Sequence, residues 1–182
     1  FPELPIVLEH VSTKEAVDLV SELHHRIGAT ITVHHLLFTE EDLYKPAFNP
    51  HLFCKPVLQK EKDRKALRTA AVSGNPSFFF GSDSAPHPRE KKELPEPAAG
   101  VFSAPVAMPL LTQVFEEEGA LDRLEAFCSR FGAEFYGLPL TEDRLSLKKE
   151  PFRVPELING AVPLMAGKEI PWSLTGNRNS VE

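Results

Sequence analysis

The chain has little cysteine, a single tryptophan and no long apolar run. Cys54 and Cys128 are the only thiols among 182 residues and form no Cys-x-x-Cys pair. A disulfide framework or a thiolate zinc site is therefore not expected, and a reducing compartment, the cytoplasm, is. No stretch approaches the roughly 20 apolar residues that cross a bilayer, so no membrane span is expected. Positive charge is also scarce. The formal net charge is -6, and the densest basic cluster, Arg89, Lys91 and Lys92, is interrupted by Glu90 and followed by Glu93. Nucleic acid and anionic lipid are not the expected partners, and a small molecule is. At 182 residues the chain suits one domain with a real core, yet falls short of the roughly 250 residues of a complete α/β barrel. Its first residue is Phe1, and Phe1-Pro2-Glu3-Leu4-Pro5 leads at once into an apolar strand, with no signal-type segment, as if cut from something longer.

What is present alternates between two periodicities. Pro5-Ile6-Val7-Leu8 is an apolar run ending in Glu9-His10, and Ser12 with Glu15 three residues on predicts a capped helix. Val17, Val20, Leu23 and Ile27 recur at helical spacing, with Gly28 placed for a left-handed C-terminal cap. Residues 29–33 are rich in β-branched side chains and predict a strand ending at His34 and His35. Residues 36–58, with Pro46, Pro50 and Pro56, predict a long loop, and such loops in compact domains are usually functional. A helix is expected over 59–73, followed by a buried parallel strand, Ser77-Phe78-Phe79-Phe80-Gly81-Ser82-Asp83, that ends in a carboxylate. Residues 84–100 mix proline and charge without periodicity. Helices are expected over 107–118, with Pro109 in the first turn, and over 120–131, where Leu121, Leu124, Phe127, Cys128 and Phe131 share a face. Residues 140–182 are expected to be irregular or to hold short strands.

This order predicts four to five β/α elements with parallel strands, and active sites of such folds lie at the C-terminal strand ends, where His10, His34, His35 and Asp83 fall. Imidazole and carboxylate are ordinary zinc donors, and His10 and Asp83 are the pair whose strand ends can meet at one metal. Taken alone the signal is weak: a strand-end histidine is more often a hydrogen-bonded structural residue, and Asp83 can equally cap the turn that follows it.

The local sequence is more specific. Gly81-Ser82-Asp83-Ser84-Ala85-Pro86-His87 resembles the strand-end signature of the dihydroorotases of the single-function bacterial and fungal type. Further resemblances follow the family's order: Leu8-Glu9-His10-Val11-Ser12-Thr13, His51-Leu52-Phe53-Cys54-Lys55-Pro56-Val57-Leu58, Ala99-Gly100-Val101-Phe102-Ser103-Ala104-Pro105, Glu125-Ala126-Phe127-Cys128, Phe135-Tyr136-Gly137-Leu138-Pro139 and Trp172-Ser173. The resemblance covers nearly the whole chain and implies the C-terminal part of a TIM-type amidohydrolase barrel over residues 1–182. The family interconverts dihydroorotate and N-carbamoyl-aspartate at two zinc ions bridged by hydroxide and a carboxylated lysine. By this resemblance His10 is expected to bind one zinc. Asp83 is expected to bind the other and to carry the proton from the bridging water to the departing amide nitrogen. His87 and the main chains of Ala99 and Lys55 are expected to hold the substrate, in an enzyme that is a homodimer when complete. At Lys55 some relatives carry leucine, a change that a backbone contact tolerates.

The departure from the pattern is an absence. The family's His-x-His pair, its carboxylated lysine, a further histidine, and the arginine and asparagine that help hold substrate belong to an N-terminal half not found here, and no His-x-His occurs. His24 and His25 read as an exposed helix end, His34 and His35 as loop contacts or supports behind the ligands, and His51 as structural. Two alternatives remain: a cyclic amidohydrolase of the dihydropyrimidinase or allantoinase type, against which the Asp83-to-His87 sequence speaks, and a chain inactive in isolation. A half barrel is also expected to expose apolar strand edges near Ile6 to Leu8 and Phe78 to Phe80, and so to aggregate or dimerise.

Overall fold

A computed structural model describes residues 3–23 and 27–175. Its centre is a parallel sheet of β1 (Ile6–Leu8), β2 (Ile27–Ile31) and β3 (Phe78–Phe80), in that spatial order. The register pairs Ile6 with Ile27, and Ala29 with Phe78. Three parallel strands are thus found among the described residues where four to five units were expected. β2 is the central one, and Gly28, Ala29, Thr30 and Ile31 are all buried.

Helix α1 (Lys14–Glu22) connects β1 to β2. The expected box on Ser12 is displaced by one residue: Thr13 is the N-cap, its hydroxyl accepting from the Ala16 N–H (3.2 Å). The Lys14 N–H donates to the buried Asp63 carboxylate of a later helix (2.9 Å), so one exposed end of α1 is satisfied by tertiary structure. The helix stops at Leu23, and Gly28 is a strand residue instead of a cap. A Cβ at Gly28 would come within 2.8 Å of the Phe79 ring and 3.0 Å of Phe135, so only glycine admits this packing. His24 and His25 lie outside the described residues.

The segment expected to be a long loop contains structure: α2 (Val33–Leu37), α3 (Glu40–Tyr44) and a 3-10 turn (Pro50–Leu52). His34 and His35 therefore stand in a helix, two and three residues past the N-cap Thr32, not on the strand. α4 (Glu61–Val72) then returns the chain to β3, burying Leu67, Ala70 and Ala71 and packing against α1 and α2.

After β3 come α5 (Arg89–Lys92) and α6 (Ala107–Glu117), whose Leu110, Leu111, Val114 and Phe115 are buried. The helix expected over 120–131 is a 3-10 turn (Leu121–Arg123) and a π-helical turn (Ala126–Arg130) running into α7 (Phe131–Tyr136). This covers β3: Phe79 packs with Ala126, Phe131 and Phe135, and Phe78 is buried in the main core. Of the two outer strands expected to expose apolar edges, only one leaves a large side chain open. Ile6 of β1 is half exposed, whereas Phe78 and Phe79 of β3 are enclosed.

The C-terminal segment forms two small antiparallel pairs, β4 (Ser146–Lys148) with β7 (Ser173–Thr175) and β5 (Phe152–Arg153) with β6 (Glu169–Ile170). Val154, Leu164 and Ile170 enter the core, and Trp172 Nε1–H donates to Glu116 Oε2 of α6 (3.0 Å).

Candidate active site

The C-terminal ends of the three strands converge on a polar, half-open surface. His10 follows β1 and Asp83 follows β3, and they meet across the end of β2 with His10 Nδ1 3.9 Å from Asp83 Oδ2. Both are non-glycine residues in the left-handed region, His10 at φ 54° and Asp83 at φ 38°. Such a backbone costs on the order of 1–3 kcal/mol per residue and persists where the surroundings dictate a side-chain position. For Asp83 the path is set at Gly81, where a Cβ would come within 2.5 Å of Thr30 Cβ. Glycine brings the chain against β2 and swings the carboxylate toward His10.

Thr30, a residue the sequence reading passed over, holds the other side. Its hydroxyl accepts from the His10 N–H (2.7 Å) and donates to Glu9 Oε2 (2.6 Å), and its carbonyl accepts from the Val11 N–H (3.0 Å). Glu9 Oε2 also lies 3.6 Å from His10 Nε2. The imidazole is thus flanked by a carboxylate at each nitrogen, and the buried threonine fixes the strained turn below it.

A second group forms where the segment after Asp83 folds back. The His87 Nε2–H donates to the Ala99 carbonyl (3.1 Å), which brings two of the expected substrate residues together. Beneath them Lys92, a member of the densest basic cluster, is buried. Its Nζ donates to the carbonyls of Phe53 (3.0 Å), Ala98 (2.8 Å) and Gly100 (2.6 Å), and the Gly100 N–H donates back to Phe53 (2.9 Å). Burial lowers this ammonium to a pKa of about 8. One side chain therefore ties the His87–Ala99 loop to the Lys55 loop. Lys55 itself is exposed and joins the group through its neighbours. Next to it Cys54 is buried, and burial, with the Asp83 charge adding to it, pushes its thiol up to about 11. His51 pairs with Glu93 (3.2 Å), in keeping with a structural role.

His34 and His35 lie deeper. His35 is fully engaged: Nε2–H donates to the Pro56 carbonyl (3.1 Å), and Nδ1 accepts from the Thr32 hydroxyl (2.7 Å). Burial pulls it down to a pKa of about 4. His34 is entirely enclosed, and neither ring nitrogen has a hydrogen-bond partner. Burial, and then the neighbouring His35 and His10, hold it well below the ordinary histidine range.

No protein-family model matches the chain. Curated relatives do: it is 47% identical over 183 aligned residues to the dihydroorotase of Coxiella burnetii, covering 98% of this chain and 53% of that protein. It is also 47% identical over 178 residues to the dihydroorotase of Yersinia enterocolitica, covering 96% and 51%. Among solved structures, the dihydroorotase of Saccharomyces cerevisiae in complex with 5-fluoroorotic acid superposes with a TM-score of 0.90 at 40% identity, over 96% of this chain and 52% of that one. The D-hydantoinase fold also matches, with a TM-score of 0.77 at 17% identity, which shows a shared barrel architecture alone. The chain spans about half the length of the curated relatives it matches.

Proposed function

This chain belongs to the dihydroorotase family, and we propose that it supplies the C-terminal half of a barrel that reversibly hydrolyses the cyclic amide of dihydroorotate to N-carbamoyl-aspartate in pyrimidine synthesis. The observation that carries this reading is the meeting of His10 and Asp83, 3.9 Å apart at two strand ends, each on a left-handed backbone. An imidazole nitrogen and a carboxylate oxygen match the zinc donor set, and their separation is too long for a hydrogen bond yet suited to joint ligation. Two zinc ions bound there, with His10 on one and Asp83 on the other, would polarise the amide carbonyl and acidify the attacking water.

The chain's own residues do the rest. Asp83 accepts the proton of the attacking water and returns it to the ring nitrogen as the amide bond breaks. Glu9 and Thr30 keep the His10 ring aimed while this happens. His87 faces the substrate carboxylate with Nδ1 while Nε2 stays tied to Ala99, and the main chains of Ala99 and Lys55 complete the cradle. The other ligands, His-x-His, a carboxylated lysine and a further histidine, would come from the other half, so this chain alone would not turn substrate over. The complete enzyme would be a cytoplasmic homodimer.

Co-expression with the remaining half of the Coxiella burnetii relative tests the reading. Dihydroorotate formation is expected from the joined halves with zinc and from neither half alone. Turnover by this chain alone would end the split-site proposal, and soluble, zinc-loaded joined halves without turnover would end the functional one.

A further inference from the structure

Absence of a Cys-x-x-Cys pair argues against sulfur ligation at sequence level, but folding assembles a different set. His34, His35 and Cys54 are all buried, and one ligand atom from each lies within 4.8 Å of the others. Ligands of a tetrahedral ion with bonds of about 2.0–2.3 Å stand roughly 3.5 Å apart, so a contraction of about an ångström closes the group on a cation. The unpartnered His34 gives the cluster its direction. Leaving a buried polar atom unpaired costs about 1–3 kcal/mol, and such an orphan in a native core calls for a missing partner.

We propose that His34, His35 and Cys54 form a sulfur-containing site for one thiophilic divalent cation of the zinc class, separate from the His10–Asp83 pair. The proton balance works within the residues present. Cys54 gives up its thiol proton to solvent and binds as thiolate. His35 keeps its proton but carries it on Nδ1 instead of Nε2, where Thr32 Oγ1, 2.7 Å away, accepts it. Nε2 then faces the ion, with Thr32 in the orienting role that a metal-bound imidazole requires. His34 binds through one nitrogen and loses no proton to solvent. The Pro56 carbonyl, 3.1 Å from His35 Nε2 and 3.2 Å from Cys54 Sγ, loses both of its donors and turns its lone pairs toward the ion as a fourth ligand. Because Lys55 sits between Cys54 and Pro56, occupation fixes the main chain expected to touch substrate.

Cobalt(II) is the probe, since a thiolate ligand gives a near-ultraviolet charge-transfer band that an imidazole–carboxylate site cannot. Titration of the 182-residue chain with Co2+ should develop this band to one equivalent, with visible absorption of tetrahedral intensity. Cys54→Ser should abolish the band, Cys128→Ser should keep it, and Thr32→Val should weaken Co2+ binding by about 10–100-fold. Asp83→Asn should leave the band intact, which separates this site from the proposed catalytic one. No charge-transfer band in the unmodified chain, or a band that survives Cys54→Ser, overturns the proposal.

Discussion

The two histidine groups at the sheet's C-terminal edge are built in opposite ways. His10 is half exposed on a left-handed backbone, with a carboxylate on each side of its ring. His34 is fully enclosed in the regular backbone of α2 and has no hydrogen-bond partner at either nitrogen. At His10 the strain lies in the main chain, and the ring stands between two carboxylates with neither within hydrogen-bond distance. At His34 the main chain is relaxed and the side chain carries the unmet demand. The first arrangement suits groups that meet something arriving from solvent and leaving again, and the second suits groups closed around something that stays.

The strongest way to break this contrast is at the reacting edge. In the joined-half enzyme, Asp83→Asn should lower turnover by about 10²–10⁴-fold with little change in apparent substrate affinity, because it removes the proposed proton acceptor and keeps the shape. Steady-state kinetics with zinc content decide it, and near-normal turnover would remove Asp83 from the mechanism. Next comes the pin between the loops. Lys92→Met strands the carbonyls of Ala98 and Gly100, each at about 1–3 kcal/mol, and leaves that of Phe53 with the Gly100 N–H alone, so it should destabilise the chain by about 2–6 kcal/mol by urea denaturation.

The buried pair sharpens the contrast through pH. His35 has a folded pKa of about 4 against an ordinary 6.5, so between these values the unfolded chain binds more protons. Its stabilising effect is complete above about 6.5 and is lost as pH falls toward 4, about 3 kcal/mol in all. Urea midpoints of the metal-free chain at neutral pH and near pH 4.5 measure it together with the share of His34, held low by the same burial, and His35→Gln should reduce the dependence without abolishing it. The smallest effect is expected at His87→Ala, which should raise the apparent KM roughly tenfold and change turnover less, through loss of the proposed charge-assisted contact to the substrate carboxylate, outside the proposed metal ligands.

Residues whose role follows from local pattern were legible before folding. β3 is a run of three phenylalanines ending in Gly-Ser-Asp, and the apolar run of β1 ends in Glu-His, so His10 and Asp83 could be placed at strand ends from spacing alone. α4 and α6 follow from helix formers and from a proline confined to a first turn. Lys92 was not legible, because an Arg-Glu-Lys-Lys-Glu run reads as solvated surface and only the loop folding over it buries the ammonium. Thr30 looks like one β-branched strand residue among several until Gly81 and Glu9 close on its hydroxyl. The short helix α3 did leave a trace: Thr39 and Asp42 form a capping box, and the same spacing is visible in the sequence. Gly28 misled because a glycine after a helical pattern suits a cap, whereas here it answers to the rings of Phe79 and Phe135.

Trp172 is the chain's only tryptophan, and its indole is anchored to Glu116 of α6. Its emission therefore reports on one junction, the seating of the C-terminal strand pairs against the helix, while far-ultraviolet dichroism reports on the helices and sheet together. A difference between the two signals during denaturation separates peeling of this segment from loss of the barrel strands, with no label introduced.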